Sequence, residues 1–210
     1  MYAKYIKRPL DFVLALIALI ILSPLLLVLI AIGAVMMQGN PFFTQVRPGK
    51  NEKLFRMIKF RTMTNKKDEY GNLLPDDKRL NKYGKMLRST SLDELPELVN
   101  IIGGDMSFIG PRPLLVRYLP LYNAKQKQRH NVTPGLTGLA QISGRNSLSW
   151  EDRFDIDIMY ISHITFRGDL KIFIGTLMKV IKRDGISSVN NATMEEFTGT
   201  KNDNYEIIKK

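Results

Sequence analysis

Apolar and polar positions in this chain are first segregated and only later interleaved. From Phe12 to Val46 no side chain carries a charge, and the inner part, FVLALIALIILSPLLLVLIAIGAVMM (Phe12–Met37), is almost continuously apolar. Such a run exceeds the roughly 20 residues that a helix needs to cross a bilayer. A cleaved signal peptide would have a shorter apolar stretch, about 7–15 residues, leading to a small-residue cleavage site. Here the large Met36, Met37 and Gln38 end the run instead. Ser23-Pro24 sits near its midpoint. Proline removes a helix hydrogen bond and bends the chain, and in lipid the freed carbonyl must find another donor, a need the neighbouring hydroxyl can meet.

The charges that flank the run bear on its topology. Lys4, Lys7 and Arg8 precede it, while Arg47, Lys50, Lys53, Arg56, Lys59 and Arg61 follow. Basic flanks prefer the cytoplasmic side of a membrane. A spanning helix has to send one of these two clusters across. A re-entrant helix that enters at Phe12, bends at Ser23-Pro24 and leaves near Gln38 keeps both inside. The charge pattern favours re-entry, with a plain spanning helix and a tolerated proline as the alternative.

After the turn cluster Gln38-Gly39-Asn40-Pro41 the pattern shortens. FFTQVRPGKNEKLFRMIKFRTM alternates around Arg47-Pro48-Gly49 and predicts a hairpin or small sheet. Thr64 to Lys82 is polar and predicts an exposed loop with a turn at Tyr70-Gly71-Asn72. Leu92, Leu95, Leu98, Val99 and Ile102 recur at helical spacing over Arg88 to Ile102, and Gly103-Gly104 ends that helix. Further helical patterns run from Leu114 to Arg129 and from Trp150 to His163. Asp169 to Arg183 is apolar with Lys171, Lys179, Lys182 and Arg183 interspersed, which suits either a helix in the headgroup layer or a buried core helix. The expected class is α/β, mostly α with a small β element. Residues 1–38 form a re-entrant membrane helix, 39–186 one cytoplasmic domain with interfacial amphipathic helices, and 187–210 a polar tail.

Composition narrows the partners. Lys and Arg number 31 against 20 acids, a net charge of +11, which points to nucleic acid, an acidic membrane surface or a phosphorylated substrate. Nucleic acid would call for interleaved aromatics or a helix-turn-helix, and neither is evident. The absence of Cys excludes a disulfide scaffold, zinc ribbons and thiol nucleophiles. With only two His, a multi-His metal site is not expected, and His130 and His163 read as structural.

Three clusters carry candidate chemistry. Ser91-Leu92-Asp93-Glu94-Leu95-Pro96 places two adjacent carboxylates at a helix start, where Ser91 and Glu94 also fit a capping box. GGDMSFIGPRP (Gly103–Pro113) sets glycines, which let backbone approach an anion, beside Pro111 and Pro113, which frame Arg112. An arginine held that way is a good bidentate phosphate ligand, although a tight loop with a solvent-facing Arg would look the same. TPGLTG (Thr133–Gly138) followed by Gly144-Arg145-Asn146 is a second such loop. Lys59 and Arg61 in KFRTM, Arg88, and Asp157 in FDIDIMY complete the polar set; singly, each reads as a surface charge.

In their order, the basic amino terminus, the Ser-Pro-broken apolar segment, KFRTM, SLDELPEL, GDMSFIGPRP and TPGLTGLAQISGRN make the chain resemble the bacterial sugar transferases, the monotopic phosphoglycosyl transferases. The resemblance covers essentially the whole chain and is nearest to the minimal members that start N-linked glycoprotein glycan assembly. It implies transfer of a sugar-1-phosphate from a UDP-sugar, of the N-acetylated amino sugar class, to undecaprenyl phosphate with release of UMP. It implies that Asp93 attacks the β-phosphate to give a phosphosugar-aspartyl enzyme and that Glu94 helps hold Mg²⁺. Arg112 within Pro111-Arg112-Pro113 would clamp phosphate, with Arg88 and Lys59 neutralising charge; Arg145 would meet the nucleotide, and Arg61 and Asp157 would join the substrate contacts. The re-entrant helix broken at Ser23 and Pro24 would keep both ends cytoplasmic, leaving the catalytic domain on the cytoplasmic face of the inner membrane. Direct transfer without a covalent intermediate, and a non-catalytic membrane-anchored scaffold, are the rivals.

Overall fold

The structure, a computed structural model, describes residues 1–144, 148–182 and 196–200. After one wide π turn at Tyr2–Ile6, the apolar run forms a single helix, α1 (Lys7–Met36). Thirty residues at 1.5 Å each give it a length of ~45 Å. Pro24 does not end it. The Ser23 hydroxyl donates to the Ile20 carbonyl at 2.8 Å, the acceptor that loses its usual donor because Pro24 has no N–H.

One stripe of α1 is packed against the rest of the protein from end to end. Ala15, Ala18, Leu19 and Leu22 meet Phe55, Met57, Leu98, Ile101 and Met106. Leu26, Leu29 and Ile30 meet Phe60, Tyr83 and Leu87. At its start Lys7 pairs with Asp169 at 2.6 Å, and Arg8 donates to the Ile101 and Ile102 carbonyls. At its end Tyr83 donates to the Leu29 carbonyl and Asn81 to that of Met36. The opposite face, with Val13, Ile17, Ile20, Ile21, Leu27, Val28 and Val35, is exposed and wholly apolar.

The alternating stretch forms the expected hairpin. β1 (Phe42–Pro48) and β2 (Leu54–Phe60) pair antiparallel, with Phe42 opposite Phe60 and Arg47 opposite Phe55. Phe55 and Met57 point into the core, and Lys59 is the next residue in that alternation. Between Thr64 and Lys82 the predicted loop holds a turn in which Asp68 accepts from Tyr70 and Asn72, and one short helix, α2 (Asp76–Arg79).

The predicted continuous helix from Arg88 to Ile102 is in fact interrupted. α3 (Lys82–Thr90) starts on an Asn81 cap and stops at Ser91, whose φ of 56° is left-handed. A 3₁₀ turn (Leu92–Glu94) and Pro96 follow, and α4 (Glu97–Gly103) begins only then, ending at Gly104 with φ 92°. Ser91 forms no side-chain cap, so the capping box does not form. Pro96 lacks the N–H that a helix continuing through it would require.

Two short parallel strands, β3 (Ser107–Ile109) and β4 (Gly135–Thr137), lie side by side. The predicted helix from Leu114 to Arg129 is instead a 3₁₀ stretch (Val116–Leu121), α5 (Ala124–Lys127) and a second 3₁₀ stretch (Gln128–Asn131). Pro120 and the Asn123 capping box divide it. α6 (Leu139–Ser143) leads to α7 (Trp150–Ser162) and α8 (Phe166–Lys182), which match the sequence expectation closely. α8 buries Asp169 and Ile172 and exposes Phe166, Leu170, Phe173, Ile174, Leu177 and Met178. The protein is mostly helical with two small sheets, so the expected class holds.

One part of the expected tail is folded. Phe197 is buried among Tyr118, Tyr122, Trp150 and Phe154, and Thr200 accepts from Gln126 at 2.7 Å. A single aromatic thus joins residues 196–200 to the core although the stretch around it is polar.

Candidate active site

The break between α3 and α4 places the two adjacent carboxylates. With Ser91 left-handed and Pro96 closing the 3₁₀ turn, Asp93 and Glu94 stand on a tight bend, ahead of a helix N-terminus rather than within a helix. Glu94 Oε1 receives Lys59 Nζ at 2.7 Å and Arg112 Nη2 at 2.7 Å. Burial disfavours its charge, but Arg112 and Lys59 together outweigh that and hold Glu94 well below the usual carboxylate range. Among the described residues no hydrogen bond or ion pair reaches the half-buried Asp93 carboxylate. Burial, and then the negative charge of Glu94, push Asp93 up to about 6. The neighbouring carboxylates thus differ: Glu94 pairs with two cations through one oxygen, while Asp93 has no partner among the described residues and holds its charge weakly.

Each cation is fastened by the fold. Lys59 comes from the end of β2, and β2 is tied to α4 through Asn100, whose amide donates to the Arg56 carbonyl while its oxygen accepts from Ile58 N–H. Arg112 lies in the Gly110-Pro111-Arg112-Pro113 loop after β3, and three donors hold that loop. Gly135 N–H reaches the Pro111 carbonyl at 3.0 Å, Arg129 that of Arg112 at 2.8 Å, and Arg47 that of Pro113 at 3.4 Å. Arg88 Nε donates to Thr62 Oγ1, next to the end of β2.

Gly110, Gly135 and Gly138 of the two motif loops lie against backbone. A Cβ on Gly135 would lie 2.1 Å from Gly110 N, one on Gly138 2.2 Å from Gly110 O, and one on Gly110 2.6 Å from Thr133 O. The loops therefore press directly on each other, which fixes Arg112 relative to β4.

Other expected site residues fall elsewhere. Asp157 was expected among the substrate contacts. It is buried against Arg129, with Oδ2 2.7 Å from Nη2, so it supports the Arg112 loop from behind rather than opening to a ligand. Arg61 shows a backbone bond to Pro41 and no side-chain partner among the described residues, so the structure does not bring it into the Lys59–Glu94 cluster. Arg145 lies outside the described residues. His130 is buried, and burial followed by Arg129 pushes it down to about 4, so it is neutral near pH 7 as a structural residue should be.

Two residues that sequence reasoning missed belong to the site. Glu97 is 2% exposed and lies 3.0 Å from Lys59 Nζ. Arg129 carries the Arg112 carbonyl. The spacing of Glu97, three residues beyond Glu94, was a usable signal; the Arg129–Asp157 pairing, 28 residues apart, had none.

Among the described residues no three His, Asp or Glu side chains converge on a metal position. Mg²⁺ usually takes one or two carboxylates and fills its remaining positions with water and phosphate oxygens. Glu94, whose Oε1 takes both cations and whose other oxygen receives no donor among the described residues, fits that mode as a single carboxylate rather than an all-protein cage.

The chain is similar to known proteins over most of its length. The family model described as bacterial sugar transferase matches residues 2–183. The chain is 48% identical to an uncharacterized sugar transferase, EpsL, of Bacillus subtilis (strain 168), covering 93% of this chain and 96% of that protein. It is 35% identical to the undecaprenyl-phosphate galactose phosphotransferase of Salmonella typhimurium, covering 87% of this chain. It is 39% identical to the UDP-glucose:undecaprenyl-phosphate glucose-1-phosphate transferase of Klebsiella pneumoniae, covering 82%. The chain spans about two fifths of the length of these last two, 42% and 39% respectively.

Proposed function

This chain belongs to the bacterial sugar transferase family, and from that premise we propose that it moves a sugar-1-phosphate from a UDP-sugar to undecaprenyl phosphate through a covalent intermediate on Asp93. The observation that carries the proposal is the asymmetric dyad: Asp93 has no hydrogen-bond or ion-pair partner among the described residues, and Glu94 Oε1 is paired with both Lys59 and Arg112. Carboxylates are competent covalent nucleophiles when nothing else occupies them.

In the first step an Asp93 oxygen attacks the β-phosphorus of the donor. The bond from that phosphorus to the bridging oxygen breaks, and UMP leaves with the bridging oxygen. In the second step an oxygen of undecaprenyl phosphate attacks the same phosphorus. The Asp93–phosphorus bond breaks, returning the carboxylate and yielding a lipid-linked diphosphosugar.

A diphosphate repels an incoming carboxylate, so the site needs positive charge. Arg112 presents a planar fork suited to phosphate, and its loop is held at three carbonyls before any ligand arrives. Lys59 and Arg88 add charge on the β2 side. Glu94 is the residue that would hold Mg²⁺, since Lys59 and Arg112 both bind its Oε1; when bound, the ion would supply further neutralisation of the phosphate oxygens.

We further propose that α1 is re-entrant and that the site faces the cytoplasm. The support is that Lys7 and Arg8 at one end and Leu29 and Met36 at the other touch the same domain. A helix whose ends straddled a hydrocarbon layer of ~30 Å would leave one end out of the domain's reach. The exposed apolar faces of α1 and α8 would then share the lipid, which brings a polyprenyl tail and a soluble nucleotide to one interface.

The donor is proposed to be a UDP-linked N-acetylated amino sugar, in keeping with the motif resemblance. A neutral hexose is the second reading, favoured by relatives named for galactose and glucose. A panel of both donor types, assayed for UMP with undecaprenyl phosphate and Mg²⁺ and again with chelator, decides between them. Turnover lost on chelation supports the metal, and formation of UDP in place of UMP would overturn the reaction.

A further inference from the structure

Glu97 has no part in the chemistry above, yet it is buried inside the charge cluster. Its side chain is 2% exposed, and its Oε1 lies 3.0 Å from Lys59 Nζ. That oxygen accepts no hydrogen bond from any described residue, and Lys59 is its only ion-pair partner among them. The same ammonium reaches Glu94 Oε1 at 2.7 Å. Lys59 is therefore gripped by two carboxylates on different elements: Glu94 on the bend before Pro96, and Glu97 in the first turn of α4. The Asn100 bonds to Arg56 and Ile58 hold α4 and β2 in one register, so the grip has a rigid base.

Lysine is a point charge on a flexible four-carbon stem and stays in one place only if held. Glu94 alone does not suffice, because any ligand or cation that draws Glu94 away draws Lys59 with it. Glu97 makes an ion pair with no other described cation, Arg112 and Arg47 acting on it only from farther away, and its depth shields it from ligand. Carrying a buried carboxylate is costly unless it is paired, so a group retained here for packing alone would be better apolar.

We propose that Glu97 is a positioning residue for the transferase reaction, holding Lys59 beside the Asp93–Glu94 dyad while Glu94 is engaged by ligand. This rests on the function proposed above and acts through Lys59; Glu97 itself touches no substrate.

The test compares Glu97→Gln with Glu97→Leu in the detergent-solubilised full chain, with folding checked by circular dichroism and thermal midpoint. One readout is acylation of Lys59 by an amine-reactive reagent, followed by mass spectrometry of its peptide. The other is kcat and KM from UMP release. Leucine matches the volume but offers the ammonium nothing, so Lys59 labels about five-fold faster or more and kcat falls about ten-fold or more, with a smaller change in KM. Glutamine keeps an amide oxygen towards the ammonium, so both readouts return to within about three-fold of wild type. If the leucine variant does not fold, Glu97→Ala takes its place with the same expectations.

Unchanged Lys59 labelling in a folded Leu or Ala variant overturns the inference, as does a Gln variant that labels as fast as the Leu variant. The labelling needs no substrate. A wild type that releases no UMP while Lys59 labelling responds as expected would count against the proposed function instead.

Discussion

Arg129 donates to the backbone carbonyl of Arg112 at 2.8 Å while its guanidinium is buried against Asp157. The arginine that meets Glu94 is thus held from behind by another arginine, and a buried ion pair 28 residues apart in sequence sets a loop at the site. Tyr122 and Phe154 stack over Arg129, and Phe197 closes the cluster behind them.

Removing one partner of this pair should cost more than removing both. Asp157→Leu leaves Arg129 buried without a counter-charge, and a loss of roughly 3–5 kcal/mol in chemical denaturation is expected. Adding Arg129→Met should recover much of the stability. It should not recover turnover, because the Arg112 carbonyl still lacks its donor. Recovery of both would show that the Arg129–Arg112 bond has no bearing on the site.

Asp93→Asn should abolish turnover and at the same time stabilise the fold. The folded carboxyl is raised to about 6 from an ordinary value near 4, chiefly by burial. The native state therefore binds the proton more tightly than the unfolded chain, and stability falls as pH rises from about 4 through 6. The ionised form costs on the order of 3 kcal/mol at most, less in proportion to its partial exposure. The variant should melt higher than wild type at pH 7–8 and equally at pH 4. The same shift predicts that wild-type kcat/KM falls as pH drops through about 6. Equal melting at both pH values would contradict the burial argument.

Gly135→Ala tests the contact between the two motif loops. Its Cβ would meet Gly110 N at 2.1 Å and Thr137 O at 2.4 Å, both backbone atoms with no rotamer to yield. Overpacking of about 1–3 kcal/mol or more is expected in thermal or chemical denaturation, with reduced turnover in whatever still folds. A stable and fully active variant would mean the loops can separate without moving Arg112.

Much of this architecture was legible because it rests on local pattern. The uncharged apolar run gave α1, alternation gave the β1–β2 hairpin, and 3.6-residue spacing gave α7 nearly to the residue and α8 with a start three residues late. The breaks were harder. The leucines from Leu92 to Leu98 keep helical spacing across Ser91 and Pro96 although the backbone does not, and Pro120 divides a run whose polar spacing still looks helical. Within the site, Lys59 and Arg112, from motifs far apart in sequence, both meet Glu94 beside Asp93. The role of Asp157 depends on Arg129, 28 residues away, and that contact leaves no sequence signal, whereas Glu97 could have been found from its spacing three residues beyond Glu94. Glycines are ambiguous in sequence, because the same residue that admits an anion also admits another backbone, as at Gly110, Gly135 and Gly138.

The topology of α1 can be read directly, because the chain contains no Cys. Single cysteines at positions 4 and 38 should react with an impermeant reagent from the same, cytoplasmic, face of sealed vesicles. Pro24→Ala should restore a backbone donor to the Ile20 carbonyl and raise the fraction labelled from opposite faces. Opposite-face labelling in the wild-type background would establish a spanning helix and rule out re-entry.

The central claim is that Asp93 carries the phosphosugar, and the most direct measurement is rapid-quench UMP release from enzyme and the correct UDP-sugar with Mg²⁺ before any lipid is added. The account predicts a burst of about one UMP per enzyme that is absent in Asp93→Asn, with steady turnover only once undecaprenyl phosphate is supplied. Sustained turnover on adding lipid with no preceding burst would contradict it, since both substrates would then have to be present before any bond breaks.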